Sequence, residues 1–205
     1  MIVTDAIDLL RNSELKQVAI KDDKPGIIGF INLAVLEIYK RFNLWEAEAI
    51  ITMATDVLLY KLDGIDTNVA IDLSDNQLLM IEVVYDELGI EMVLNDEKDP
   101  YSISTPQYHQ IEIQEAVDGQ TMGVIYRAAP KFLTNEKAEI PIPPQFLEAL
   151  FPYVGFKGHG GIKAEGAGSN TYYKLFENSL KLIKEDGLFA QDDLNSHKFE
   201  DNIYP

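Results

Sequence analysis

The chain has no cysteine among its 205 residues. That excludes disulfides, thiolate metal sites and a cysteine nucleophile, and it fits folding in a reducing compartment. Histidine is scarce as well: His109, His159 and His197 lie far apart. None stands in the His-x-x-x-His or His-Glu-x-x-His spacing that sets two metal ligands on one helical face, so no metal site is expected. Positive charge is short too, with 17 basic residues against 34 acidic ones and a formal charge of -17. Gripping phosphates needs clustered Lys and Arg, which excludes direct, sequence-specific nucleic-acid binding as the expected role. No apolar run approaches the length of a membrane span, and Met1 to Ala6 lacks the basic and apolar blocks of a signal peptide; a cytoplasmic origin is expected.

What is present is an order of segments. A chain of this length can bury a substantial core as one domain, or one domain with a subdomain. Thr4 to Leu10 reads as a short helix with Thr4 as N-cap and Ile7 and Leu10 pointing inward. After Pro25, Ile27, Ile31, Ala34, Val35, Ile38 and Phe42 recur at three- and four-residue intervals and predict a long amphipathic helix. From Trp45 the pattern turns to alternation: Trp45, Ala47, Ala49, Ile51 and Met53 predict a strand. Leu79 to Tyr85 with Ile90 to Leu94, and Ile111 to Val117 with Thr121 to Arg127, flank turn sequences and read as two hairpins. Asn95 to Pro106 between them reads as a polar loop.

The segment from Ile140 to Lys184 starts with a proline cluster, Ile140-Pro141-Ile142-Pro143-Pro144, and enters a helix at Gln145 to Phe151. A glycine-rich break is expected next, from Gly155 through Gly158, Gly160, Gly161, Gly166 and Gly168. It leads to a second amphipathic helix, Thr171 to Lys184, carrying Tyr172, Leu175, Phe176, Leu180 and Ile183. The expected fold class is α+β: a helical bundle from the N- and C-terminal segments with an inserted small antiparallel β sheet or barrel. The expected divisions are residues 1–44 plus 140–184 for the helical domain, 45–139 for the β domain and 185–205 for an extended tail.

Signs of chemistry are few. His159 sits in Gly158-His159-Gly160-Gly161, which reads as a solvent-exposed turn and lacks the third glycine or the Gly-Lys-Ser/Thr of a phosphate loop. Asp63 to Asn68 and Asp72 to Asp75 bring carboxylates close, without calcium-loop spacing, and read as turns. No Gly-x-Ser-x-Gly is present. No catalytic, cofactor-binding or metal-binding residue is assigned and no cofactor is expected. A small-molecule hydrolase whose carboxylates meet only in the fold, near His109 or His159 for instance, stays open as the alternative.

Three groups of residues carry a resemblance. The first is Gly29-Phe30-Ile31-Asn32-Leu33-Ala34 with Glu37-Ile38-Tyr39; the second is Tyr126-Arg127-Ala128-Ala129-Pro130. The third joins Glu139 to Leu150 with Tyr172-Tyr173-Lys174-Leu175-Phe176-Glu177. In this order the chain resembles the head-to-tail adaptors of tailed double-stranded DNA bacteriophages, and most closely the gatekeeper or tail tubular protein A type connector of short-tailed phages. A connector from a long-tailed phage is the weaker variant of the same reading. The resemblance implies a non-enzymatic virion protein, assembled in the host cytoplasm, that forms a homo-oligomeric, dodecameric ring under the portal protein. Such a ring extends the DNA channel and offers a surface to the tail nozzle or next tail protein; DNA passes through without sequence-specific binding. It also implies portal or subunit contact by Phe146, Phe151, Tyr172, Phe176, Phe199, Ile203 and Tyr204.

Overall fold

The computed structural model describes residues 1–99, 101–114, 116–160 and 167–187. They form two compact units, one from Met1–Phe42 with the chain from Phe132 onward, the other from Asn43–Lys131. The fold is α+β, with helices in the first unit and an open antiparallel sheet in the second. Phe199, Ile203 and Tyr204, and the expected tail beyond residue 187, lie outside the described residues.

In the helical unit α1 (Val3–Asn12) buries Val3, Ala6, Ile7 and Leu10. Its cap differs from the expected one. Ile2 occupies the N-cap position and Thr4 lies in the first turn. The free N–H groups of that turn are taken up by a neighbouring segment instead: Val3 donates to the Ala138 carbonyl at 2.9 Å, and both the amide and the hydroxyl of Thr4 donate to the Glu136 carbonyl. With those donors satisfied by backbone carbonyls no cap side chain is needed, and Thr4 stands two residues inside the N-cap position.

The long helix α2 (Lys24–Arg41) starts as its sequence predicts. The Asp23 carboxylate accepts from the Gly26 amide at 3.1 Å and Pro25 stands in the first turn, where its missing N–H costs nothing. Gly26 is what leaves room for that cap, since a Cβ there would sit 2.4 Å from the Asp23 carboxylate. Ile27, Ile31, Ala34, Val35 and Ile38 face the core. The chain from residue 133 to 141 is strapped along this helix: Asn32 exchanges two hydrogen bonds with the Leu133 backbone, and the Tyr39 hydroxyl donates to the Pro141 carbonyl at 2.7 Å.

The glycine-rich break expected from Gly155 does not begin there. After a 3-10 turn at Pro144–Phe146, α3 runs unbroken over Leu147–Gly160, through Pro152, Gly155 and Gly158. These two glycines are packing positions rather than a joint. A Cβ on Gly155 would meet the Tyr172 ring at 3.0 Å and Glu14 Cβ at 3.1 Å; one on Gly158 would lie 2.5 Å from Leu15 Cδ2. Pro152 cannot donate to the Glu148 carbonyl one turn back, and the Ser179 hydroxyl of α4 (Ala167–Glu185) reaches that oxygen at 3.4 Å. α4 buries Phe176, Leu180 and Ile183, while Leu175, expected on the same face, is exposed.

The second unit is a sheet in the order β3-β1-β7-β4-β5, built from β1 (Glu46–Thr52), β3 (Val69–Ile71), β4 (Asn76–Tyr85), β5 (Glu91–Met92) and β7 (Thr121–Pro130). A two-stranded sheet, β2 (Leu59–Lys61) with β6 (Gln110–Glu112), completes it. The hairpin expected around Asp86 to Gly89 forms between β4 and β5. The one expected across Asp118-Gly119 does not. Gly119 makes its turn at φ 79°, but β6 pairs with β2, and β7 enters between β1 and β4. Met122, Val124, Tyr126 and Ala128 on β7 are all buried, and such a stripe is better covered in a central strand than in a two-stranded ribbon. Tyr60, Ile103, Ile111 and Ile113 join the same core, so the polar loop around Asn95 to Pro106 is anchored by Ile103.

Candidate functional site

Enzyme-like features can be followed residue by residue. Among the described residues no three His, Asp or Glu side chains come together as a metal ligand set. Asp63 accepts from the amides of Ile65 and Asp66, Asp66 from that of Asn68, and Asp72 from that of Ser74, so these carboxylates shape their own turns. The Ile65 amide is the main reason the Asp63 carboxyl sits below the ordinary carboxylate range. An acid that exchanges protons near neutral pH needs the opposite shift. Asp63 is also the carboxylate bordering the open cleft beside His109, which Lys131 and Gln77 share. His159 is not an exposed turn: its Nε2 bonds to the Glu14 carbonyl at 2.9 Å and its ring stacks on Tyr172 at 5.0 Å between centroids. His197 lies outside the described residues.

A different kind of surface is built where α4 crosses the end of α2. Arg41, in the last turn of α2, donates through Nη1 to both Glu177 oxygens at 2.7 and 2.8 Å, and through Nε to Glu37 at 2.9 Å. Its Nη2 reaches the Tyr173 hydroxyl at 3.2 Å and its guanidinium lies 5.1 Å from the Phe176 ring centre. Partial burial works against the Arg41 charge, but the hydrogen bonds to Glu177, Tyr173 and Glu37 outweigh it and raise its pKa above the ordinary value. Glu177 moves the other way: partial burial opposes its charge, and the bonds from Arg41 and Tyr173 overcome that and lower its pKa. The periodicity of α2 places Arg41 at the helix end, where a cation suits the dipole, but no sequence pattern points to its partner 136 residues away.

Aromatic rings extend this joint along α3. Tyr153 packs on Phe176 at 4.9 Å, and Phe156 lies 5.9 Å from Tyr153 and 5.1 Å from Tyr173. The Lys157 ammonium sits over both Tyr153 and Phe156. Edge-on and tilted pairs of this kind add stability beyond the area they bury and stiffen the pairing of the two helices.

On this frame α4 leaves Leu175 and Leu182, two turns apart, about half exposed. Two grooves border α4. One, about 430 Å³, is lined by Arg41, Phe42, Glu177, Leu180, Lys181 and Lys184; the other, about 210 Å³, by Pro144, Gln145, Glu148, Ser179, Leu182 and Asp186 among others. Both are shallow and mix apolar with charged walls, a lining that suits protein contact better than capture of a small molecule.

Of the residues expected at contacts, Phe146 and Phe176 are fully buried, Phe146 against the Phe42 ring at 4.8 Å. Phe151 and Tyr172 are half-buried. Leu182 was not singled out by its spacing and Leu175 was expected on the buried face, because exposed apolar positions look the same in sequence as buried ones. The model of the SU10 adaptor protein family matches residues 2–196. No curated protein matches the chain.

Proposed function

The chain belongs to the SU10 adaptor protein family, and from that premise we propose that it is a structural phage protein that assembles as a ring between portal and tail. In this reading the ring is homo-oligomeric, of twelve copies, and extends the channel through which DNA leaves the head. The observation that carries it is the family match over residues 2–196, which takes in both structural units rather than one motif. The role is scaffolding, without catalysis.

The helical unit is the part that meets the portal. Leu175 and Leu182 supply the exposed apolar contacts, the half-buried Phe151 and Tyr172 add to them, and Phe146 and Phe176 hold the helices in place from inside. Phe199, Ile203 and Tyr204 would add a second anchor. The acidic surplus fits a channel wall: carboxylates repel phosphates, so DNA slides instead of sticking.

The test is binding of the purified protein to its portal. The unmodified protein is expected to form a stable complex, and Leu175→Asp with Leu182→Asp to lose it while keeping its melting temperature, since both side chains are outside the core. Portal binding unchanged by the double variant would contradict this assignment of the docking face.

A further inference from the structure

The outer face of the β unit carries a second surface of different chemistry. This unit holds 17 of the 34 carboxylates but four of the 17 cations, Lys61, Lys98, Arg127 and Lys131. Pairing register sorts its strands into two faces. Rows such as Ala49, Val124, Val84 and Met92 point into the core. The alternate rows point out: Ala70, Ile50, Gly123, Tyr85 and Glu91 across all five strands, then Glu48, Ile125 and Val83, then Glu46, Arg127 and Met80. Ile50 and Met80 remain 45% and 44% exposed in the whole chain. An apolar strip therefore lies in a frame of Glu46, Glu48 and Glu91, with Arg127 already paired to Glu82.

At the middle of this strip stands Gly123, in the central strand, and the fold does not require a glycine there. Its φ is not in the left-handed region, and a Cβ built on it would meet a single atom, the Glu48 Oε1, at an ordinary 3.5 Å. Glycine is among the poorest strand formers. Strands lie about 4.8 Å apart, so Ile50 and Tyr85 stand about 10 Å apart on either side of bare backbone. The result is a dip with an aliphatic wall, an aromatic wall and a carboxylate at its rim. That combination suits one chemical group, the stem and cationic head of a Lys or Arg side chain, which gains an apolar bed, a ring face and an ion pair at once.

We infer that this outer sheet face is the docking site for a basic protein surface, the next tail component, with a Lys or Arg side chain seated over Gly123 between Ile50, Tyr85 and Glu48. The inference rests on the proposed adaptor role, which gives the helical unit to the portal and leaves the acidic unit for the other neighbour. Charge complementarity selects the occupant: a second copy of this acidic chain or DNA would meet repulsion at Glu46, Glu48 and Glu91.

The experiment uses the full chain with two probes, the purified portal protein and the purified tail nozzle protein of the same phage. Two variants are compared with the unmodified protein, Glu48→Lys and Gly123→Thr. Each is expected to weaken nozzle binding at least tenfold and to leave portal binding unchanged; nozzle binding by the unmodified protein should weaken with added salt. Gly123→Thr is also expected to melt no lower than the unmodified protein, which separates a docking role from a folding one. Nozzle binding unchanged in both variants would overturn the inference while leaving the adaptor role intact. Loss of self-assembly in place of nozzle binding would also overturn it, assigning the face to subunit contact. Failure of the unmodified protein to bind portal would count against the adaptor role itself.

Discussion

Single side chains decide how closely the helices of the first unit approach. Gly158 is the clearest case, because a Cβ at that position would lie 2.5 Å from Leu15 Cδ2. Gly158→Val is therefore expected to lower stability by about 1–3 kcal/mol through overpacking, read as a lower melting temperature. Gly160, two residues on, has open space around it. Gly160→Ala should be neutral or stabilising by up to about 1 kcal/mol, since it removes a poor helix former without a clash. If the two changes cost the same, the packing role of Gly158 would be wrong. In sequence these glycines look alike, and a run of them reads as a break. Space, which is what sets them apart, depends on Leu15 and Ile20, residues from another part of the chain.

At the scale of elements, the joint between α2 and α4 hangs on the Arg41 and Glu177 pair. Glu177 has a folded-state pKa below its ordinary value, so its charge contributes stability above that ordinary value. The contribution is lost as pH falls through the lowered pKa and the carboxylate takes up a proton. A thermal-melt series is thus expected to show a loss of stability below about pH 4 that is smaller in Glu177→Gln. The difference should be small, because the pair is partly solvated and such pairs contribute about 1 kcal/mol or less. An identical pH profile in the variant would remove Glu177 from the account. Helix α2 and strands β1, β4 and β7 were legible in the sequence, since their apolar periods of 3.6 and 2 coincide with the faces they bury. The start of α1 and the partner of β6 were not. The carbonyls of residues 136 and 138 replace Thr4 as the cap, and β2 replaces β7 as the partner of β6, and both replacements come from far along the chain. Exposure at the expected contact positions was not legible: Tyr172 has part of its surface open, whereas Phe146 and Phe176, aromatic as well, are inside.

For the whole molecule, charge is divided unevenly between two units. The β unit concentrates negative charge, with Lys61, Lys98, Arg127 and Lys131 its cations, and the helical unit carries the exposed apolar positions of α4. A ring built from such subunits would meet DNA without holding it, so the assembled protein is expected to show no measurable retention of double-stranded DNA at about 0.15 M salt, in contrast to a basic-walled pore. The central claim is that this chain joins a portal as a closed ring. Electron microscopy of the purified protein mixed with its portal tests that most directly. The account predicts a ring of twelve copies stacked coaxially on the portal; a protein that stays monomeric and leaves the portal bare would contradict it.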